Sequence, residues 1–289
     1  MAVCYRHKDR ETGVSCSNCG NPICPDCMTA TPVGMRCPDC SKQRTPVRTM
    51  RNVYVQPTAT YVLMAICIVL WVGEYISGGR GSQVYEDLAL VGINVDSSNH
   101  LIGVSQGEWW RLITGAFLHD PRNPLHVAFN MYVLYWLGTM LEPALGHARF
   151  LALYFASLLA GALGALLLTD VRVFTTGASG AVFGLFGAAF VMQRARGIDP
   201  MQSGLVPIIL LNLVISFVVP GISIGGHLGG LVGGALAALG LERFAAMRVP
   251  KAVPIVACAA LGLACAAVAV AVADSKAQKF ITAAAALFT

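Results

Sequence analysis

Seven apolar stretches constrain the fold of this 289-residue chain more than any other feature. Each is close to the roughly 20 residues that a membrane-spanning helix needs. Only 12% of the residues are charged, whereas a soluble domain has about 25%. We therefore predict an all-α polytopic membrane protein with helices over residues 58–77, 125–144, 149–169, 179–194, 205–219, 223–242 and 252–273.

Charged residues outside these stretches predict how the chain is oriented. Residues 1–52 hold eight Lys and Arg against four Asp and Glu, and the first apolar stretch begins shortly after Arg44, Arg48 and Arg51. Basic residues then recur in every second connection between helices. The positive-inside rule predicts a cytoplasmic N-terminus. Seven helices then place the C-terminus on the extracytoplasmic side, against the weak opposing pull of Lys276 and Lys279, and we expect the protein to lie in the plasma membrane.

The composition divides the chain into segments of different character. Seven of the ten cysteines fall in the first 43 residues, and we expect no cleavable signal peptide because this part has no apolar run. The connection at 78–124 is too long for a simple loop and contains Trp109 and Trp110, so we expect a structured insertion at the membrane interface. The predicted segments are a cysteine-rich head (1–43), a basic linker (44–57), a membrane core (58–245), and a seventh helix with its tail (246–289).

Four pairs of metal-ligand residues occupy the head, and two residues separate the members of each pair. This spacing is typical of structural zinc sites, so eight ligands predict two Zn²⁺ ions. The odd number of head cysteines and a cytoplasmic location both argue against disulfides. We favour an interleaved pairing, and a sequential pairing stays open. The interleaved sites are Cys4, His7, Cys24 and Cys27 for the first ion, and Cys16, Cys19, Cys37 and Cys40 for the second.

The ligand spacing in the head resembles that of the B-box zinc finger, a small interaction module. A segment this short has too little core to fold without metal. We expect a regulatory role or a cytoplasmic protein partner for the head. Nucleic acid is not an expected partner, because no long helix follows the ligands to enter a groove.

Two polar residues stand out within the apolar stretches. Ser179 lies in the run Gly-Ala-Ser-Gly at the start of the fourth stretch, and His227 lies in a glycine-rich part of the sixth. Polar groups at such depth usually face a cavity and take part in chemistry or transport. Glycines at every fourth position would let the two helices approach closely, so Ser179 and His227 could form a nucleophile–base dyad. The alternatives are a serine N-cap and a histidine that links helices by hydrogen bonds.

The second apolar stretch adds His126 and Asn130, which are four residues apart and so share one helical face. If this face is turned toward Ser179, both side chains could donate hydrogen bonds to a developing oxyanion. The alternative is ordinary hydrogen bonding between helices, which is worth only about 0.6 kcal/mol on average.

Together these motifs resemble the rhomboid family of intramembrane serine proteases over about residues 58–245. The matching positions are Trp110-Arg111, His126 with Asn130, the Gly-Ala-Ser-Gly run around Ser179, and His227. The resemblance implies a six-helix core, a water-filled cavity, and cleavage of the transmembrane segments of membrane proteins. It assigns Ser179 as nucleophile, His227 as base, and His126, Asn130 and the Ser179 N–H as oxyanion donors. It places Trp110-Arg111 in a structural loop, and the seventh helix resembles the six-plus-one subtype.

One departure from the family concerns the position four residues after the nucleophile, where many relatives have tyrosine. Phe183 stands there, and we expect its ring to stack on His227 without supplying a hydroxyl.

Three functions compete: an active protease, an inactive relative that binds membrane helices, and a transporter. The presence of both Ser179 and His227 favours the protease.

Overall fold

The computed structural model describes residues 2–42, 55–219, 221–247 and 249–285. Contacts between residues divide the chain into two compact units, Met1–Tyr54 and Val55–Thr289. Most of the predicted linker, with Arg44, Arg48 and Arg51, lies outside the described residues, as do the last four residues of the tail.

The first unit is built from two short antiparallel ribbons, a 3₁₀ turn at Pro25–Cys27 and one short α-helix. Its buried core, among the residues described, is Ile23 surrounded by six cysteines, so little apolar area holds the unit together. The Tyr5 hydroxyl donates a hydrogen bond to Asp39 at 2.6 Å, and Arg6 pairs with the same carboxylate at 3.2 Å. The elements are β1 (Ala2–Val3), β2 (Glu11–Thr12), β3 (Thr29–Thr31), β4 (Gly34–Arg36) and α1 (Pro38–Ser41).

The second unit is mostly helical, and each of the seven predicted helices has a counterpart in it. Two short helices and one small ribbon lie between the first and second long helices. The elements are α2 (Thr58–Ile76), α3 (Gln83–Leu88), β5 (Asn94–Val95), β6 (Leu101–Ile102), α4 (Arg111–Thr114), α5 (Pro124–Leu145), α6 (His147–Leu168), α7 (Ser179–Ala195), α8 (Leu205–Val218), α9 (Ile224–Ala246) and α10 (Ala252–Ala285).

Within the described residues, four helices are long and apolar enough to cross a membrane: α2, α6, α9 and α10. Helix α8 is apolar but shorter. The protein is therefore a helical membrane protein, and six membrane helices plus one stays a prediction. Helix α10 runs 12 residues past its predicted end at 273, because its polar residues from Asp274 to Lys279 contain neither glycine nor proline to stop an alanine-rich helix.

The connection between α2 and α5 is structured, as predicted. The guanidinium of Arg111 is fully buried and holds the carbonyl oxygens of Glu86 and Ala89 near the end of α3, the latter at 2.9 Å. It also pairs with Glu108 at 2.7 Å, which compensates its charge. The indole N–H of Trp110 donates to the carbonyl oxygen of Asp87 at 3.1 Å. These contacts give the Trp-Arg pair a structural role in the insertion.

Helix α9 packs against both α6 and α7 through its glycines. A side-chain carbon added to Gly230 would overlap the carbonyl oxygen of Gly180, and one added to Gly234 would overlap the backbone of Gly184. Only glycine permits backbones this close, so the predicted glycine-faced contact between α7 and α9 is confirmed. It fixes the start of α7 beside the first turns of α9.

Candidate active site

A cavity of about 510 Å³ lies among α5, α6, α7, α8 and α9. All four predicted catalytic side chains line it: Ser179, His227, His126 and Asn130. Most of the lining surface is apolar, and the polar groups are a minority, as is typical of a ligand cavity.

Ser179 is the first residue of α7, and the N-cap position belongs to Ala178 instead. Within the described part of the chain, the Ser179 hydroxyl has no hydrogen-bond partner, so the N-cap alternative finds no support. The N–H of Ser179 also lies in the first helical turn, where backbone donors have no intrahelical acceptor. An oxygen bound next to Ser179 would meet this free N–H and the positive end of the helix dipole.

The backbone before Ser179 is held at several points. Gly177 adopts φ of +128°, a conformation that L residues with side chains rarely adopt, and its N–H donates to the carbonyl oxygen of Gly115 at 3.1 Å. The N–H of Ala178 donates to Nε2 of His119 at 3.4 Å, and the His119 ring is fully buried. These contacts set the direction in which the nucleophile enters the cavity.

Lys276 of α10 anchors the connection that leads from α6 to Ser179. Its ammonium donates to the carbonyl oxygens of Leu166, Leu167 and Thr169 at 2.7 to 3.1 Å, which caps the C-terminus of α6. In the same connection, hydrogen bonds from Arg172 lower the pKa of the Asp170 carboxyl to about 2.

His227 is held on one face and at one ring nitrogen. The Phe183 ring stacks on the imidazole with centroids 4.1 Å apart and an angle of 15°, so the predicted stacking is confirmed. Nδ1 lies 2.6 Å from Oγ of Ser216 on α8. Among the described residues, no hydrogen bond joins His227 to Ser179 in this conformation. Contacts of catalytic pairs often become short only when substrate is bound.

His126 and Ser179 face the same small volume above Gly177. A side-chain carbon at Gly177 would lie 3.0 Å from Nε2 of His126 and 3.7 Å from Oγ of Ser179. Asn130 is buried, and its Nδ2 donates to the carbonyl oxygen of His126 at 2.9 Å. A side-chain amide carries two N–H protons, so one remains for another acceptor in the cavity.

The head holds two groups of ligand-type atoms, each within 4.8 Å of one another. One contains Cys4, His7, Cys24 and Cys27, and the other contains Cys16, Cys19, Cys37 and Cys40, which is the interleaved arrangement. Nδ1 of His7 lies 3.3 Å from Cys24 Sγ and 3.4 Å from Cys27 Sγ, and Cys19 Sγ lies 3.8 Å from Cys37 Sγ. A tetrahedral zinc site with Zn–S bonds of about 2.3 Å has ligand separations of about 3.8 Å, so the atoms fit such an ion.

The pKa shifts of cysteine thiols in both groups also fit a bound cation. Hydrogen bonds from backbone N–H groups, that of Cys37 first, lower the pKa of the Cys16 thiol to about 6. In the first group, desolvation and the neighbouring sulfur of Cys24 raise the pKa of Cys27 to about 11. Several thiolates cannot be charged at such short range unless a positive ion neutralises them.

Comparison with known proteins identifies the family. The Rhomboid domain matches residues 106–244. Rhomboid protease AarA of Providencia stuartii is 30% identical over 208 residues, which cover 62% of this chain and 70% of AarA. The chain belongs to the rhomboid family of intramembrane serine proteases. Two further rhomboid relatives are Rhomboid protease GluP of Bacillus subtilis (36% identical over 193 residues) and Rhomboid-like protease 1 of Toxoplasma gondii (31% over 196 residues).

The match to GluP covers 65% of this chain but only 36% of GluP itself. The match to the Toxoplasma protein covers 65% of this chain and 66% of that protein. The rhomboid domain begins at residue 106, so neither the head nor α2 lies within it. All cavity-lining residues from Leu112 onward lie within the rhomboid domain, including Ser179 and His227.

Sequence reasoning missed two residues at this rhomboid site. Ser216 lies four residues after Asn212 in an apolar helix, which is the same kind of signal that identified His126 with Asn130. It could have been found by that logic. His119 lies in a connection between helices, where a polar residue is unremarkable, so the sequence carried no signal for its contact with Ala178.

Proposed function

We propose that this rhomboid protein is an endopeptidase that cleaves transmembrane segments of membrane proteins through Ser179 and His227. The observation that carries the proposal is their placement: both line one cavity between helices whose glycines bring the backbones into contact. The N–H of Ser179 and the side chains of His126 and Asn130 line the same volume and supply the donors that acyl transfer needs.

In the proposed reaction, Oγ of Ser179 attacks the scissile carbonyl carbon while Nε2 of His227 takes the hydroxyl proton. The carbonyl oxygen becomes an oxyanion and accepts hydrogen bonds from the Ser179 N–H, His126 Nε2–H and Asn130 Nδ2–H. The imidazolium of His227 then gives its proton to the leaving amine as the peptide bond breaks. Water repeats the cycle on the acyl-enzyme, with His227 again as base, and releases the new carboxyl end.

The inactive relative and the transporter are supported less well. An inactive relative needs neither a free serine hydroxyl nor a base held by stacking, and this cavity has both. A transporter would line a path through the membrane with polar groups, whereas here most of the cavity lining is apolar.

The test is covalent labelling and cleavage by the purified full-length chain. Ser179→Ala and His227→Ala should abolish cleavage of a reporter transmembrane substrate, and Ser179→Ala should lose labelling by a fluorophosphonate probe. Ser203→Ala is the control, because its hydroxyl bonds to Gln193 at 2.8 Å outside the cavity lining. Full cleavage by Ser179→Ala would end the proposal.

For the head, we propose two structural Zn²⁺ ions and a role in regulation or in binding a cytoplasmic protein. The two interleaved groups of four ligands support the ions. A separate compact unit outside the rhomboid domain supports a role apart from catalysis. The excess of Lys and Arg before α2 supports a cytoplasmic N-terminus, with the C-terminus outside the plasma membrane.

A further inference from the structure

Ser216 on α8 contacts the proposed base but has no part in the reaction described above. Its Oγ lies 2.6 Å from Nδ1 of His227, and both side chains are buried, with exposed fractions of 2% and 6%. The same Oγ lies 2.7 Å from the carbonyl oxygen of Asn212, one turn earlier on α8. A continuous path of polar atoms therefore runs from the imidazole through one hydroxyl to a backbone carbonyl.

The direction of each hydrogen bond follows from the number of protons. A serine hydroxyl has one proton to donate, and its oxygen can accept two. A carbonyl oxygen can only accept, so the proton of Ser216 goes to Asn212. The Ser216 oxygen must then accept from His227, which places the single proton of the neutral imidazole on Nδ1. Nε2 is left unprotonated, which is the form that a general base needs.

We infer that Ser216 is a positioning residue that holds His227 in the Nδ1–H tautomer and keeps Nε2 ready for the proton of Ser179. The inference rests on the proposed dyad. In Ser-His-Asp proteases a buried aspartate orients the imidazole in this way and stabilises the imidazolium. Here a neutral hydroxyl, itself bonded to a backbone carbonyl, takes the place of that aspartate and orients the base.

Phe183 and Ser216 restrain different motions of the His227 ring. Stacking at 4.1 Å fixes the plane of the imidazole but leaves the ring free to turn within that plane. The contact with Ser216 at Nδ1 removes this freedom. When His227 becomes an imidazolium, the Ser216 oxygen still accepts from Nδ1–H, and the face of the Phe183 ring attracts the cation.

The competing explanation is that Ser216 is an ordinary helix serine. Serines in helices often bond to the carbonyl four residues earlier, and this is a local contact without functional meaning. Ser157 on α6 supplies a matched control, because it is fully buried and its hydroxyl donates to the carbonyl oxygen of Leu153 at 2.7 Å. Ser157 does not line the cavity.

The first experiment measures cleavage of a reporter transmembrane substrate by full-length Ser216→Ala, Ser216→Thr and Ser157→Ala, each with its melting temperature. We expect Ser216→Ala to lower kcat by roughly 10-fold to 100-fold with little change in KM. This is less than the roughly 10⁴-fold loss when the orienting aspartate of a triad loses its charge. Ser216→Thr keeps the hydroxyl and should recover most of the rate, and Ser157→Ala should resemble the wild type.

The second experiment measures the tautomer directly, and its decisive sample is the wild-type protein. In ¹⁵N spectra of histidine-labelled protein, the His227 signals are assigned by their loss in His227→Gln. We expect a protonated Nδ1 and an unprotonated Nε2 in the wild type, and the same in Ser157→Ala. Ser216→Ala should lose this preference. A wild-type His227 that carries its proton on Nε2 would overturn the inference even if Ser216→Ala fails to fold.

The outcomes separate this inference from the proposed function. Cleavage that survives Ser179→Ala or His227→Ala refutes the dyad itself. If those variants are inactive but Ser216→Ala cleaves like Ser157→Ala, the dyad stands and the role of Ser216 is refuted. If Ser216→Thr is as slow as Ser216→Ala while the tautomer is unchanged, Ser216 acts through packing alone.

Discussion

In the proposed mechanism, three donors stabilise the substrate oxygen that becomes charged: the Ser179 N–H and the side chains of His126 and Asn130. His126 Nε2 and Ser179 Oγ both lie within 4 Å of one point above Gly177, and the Ser179 N–H opens the helix beside them. Asn130 donates one amide proton to the carbonyl oxygen of His126. This bond holds the Asn130 side chain in one rotamer, so under the proposed mechanism its second proton would bind the oxyanion without further loss of side-chain entropy.

His126→Ala and Asn130→Ala should therefore lower kcat far more than they change apparent substrate affinity, because the oxyanion exists only in the transition state. We expect a loss of about 10-fold to 1000-fold for each, as for other oxyanion donors. The double variant should lose less than the product of the two, since both groups serve one oxygen. Turnover and melting temperature should be measured together.

His100→Ala is the control for this prediction, because that ring is largely exposed in the insertion and does not line the cavity. It should leave turnover and melting temperature unchanged. Near-normal turnover of His126→Ala or Asn130→Ala with a large fall in melting temperature would show that these side chains link helices and do not stabilise the oxyanion.

At the scale of single residues, the sequence predicted which side chains form the candidate site, because polar groups are unusual in apolar helices. A serine, two histidines and an asparagine within apolar helices are conspicuous, and all four line one cavity. The sequence could not predict which atoms meet. The contact between Ser216 and His227 depends on how α8 and α9 pack against each other, and no local sequence pattern encodes that distance.

Among the helices, the contact between α7 and α9 determines where Ser179 and His227 lie. Gly180 and Gly184 of α7 meet Gly230 and Gly234 of α9 with no side chain between the backbones. Membrane helices gain little from apolar burial against each other, because lipid is equally apolar, so close packing provides most of the association. A single methyl group at this contact should separate the two helices.

Gly234→Ala should destabilise the protein and abolish cleavage, because the added carbon overlaps the backbone of Gly184. Overpacking of this kind costs about 1–3 kcal/mol or more. Gly240 lies on the same helix, and a carbon added there would touch only the Phe244 ring at 3.9 Å. Gly240→Ala should be neutral or more stable by up to about 1 kcal/mol, since alanine favours the helix.

Melting temperature and cleavage of the two variants check this prediction. Equal behaviour of Gly234→Ala and Gly240→Ala would mean that the α7–α9 contact can adjust and does not determine the site geometry.

The sequence predicted the helices better than their ends. The apolar character and length of the stretches predicted all seven, because hydrocarbon permits few other solutions. Helix α9 continues to Ala246 and α10 to Ala285, past their predicted ends. The prediction stopped at charged residues such as Glu242 and Asp274, which end an apolar stretch but not a helix. The contacts of the insertion around Arg111 join distant parts of the sequence, so no local pattern could predict them.

For the whole molecule, the two units differ in what stabilises them. The membrane unit buries many apolar side chains between helices, whereas the core of the head is Ile23 and a set of cysteines. A unit of about 40 residues rarely folds without metal, disulfides or a partner. The head cysteines are not paired in disulfides among the described residues and lie in two groups of ligand atoms, so metal is the stabilising element that its own residues can recruit.

Purified protein should therefore contain about two Zn²⁺ per chain, and a strong chelator should remove them and unfold the head. Cys16→Ser should lower the metal content to about one ion, because it breaks one group of four ligands and leaves the other intact. Cys265→Ser is the control, since this thiol on α10 lies outside both groups and should leave two ions.

Chelation should leave cleavage of the reporter substrate unchanged, because none of the proposed catalytic residues lies before α2 and the cavity is lined by residues of the membrane unit alone. Metal content, proteolysis of the head by added trypsin and cleavage activity should be measured on the same sample. A chelated chain that loses both its zinc and its activity while the membrane unit keeps its melting temperature would show that the head controls catalysis. Unchanged metal content in Cys16→Ser would instead refute the assignment of the second group as a zinc site.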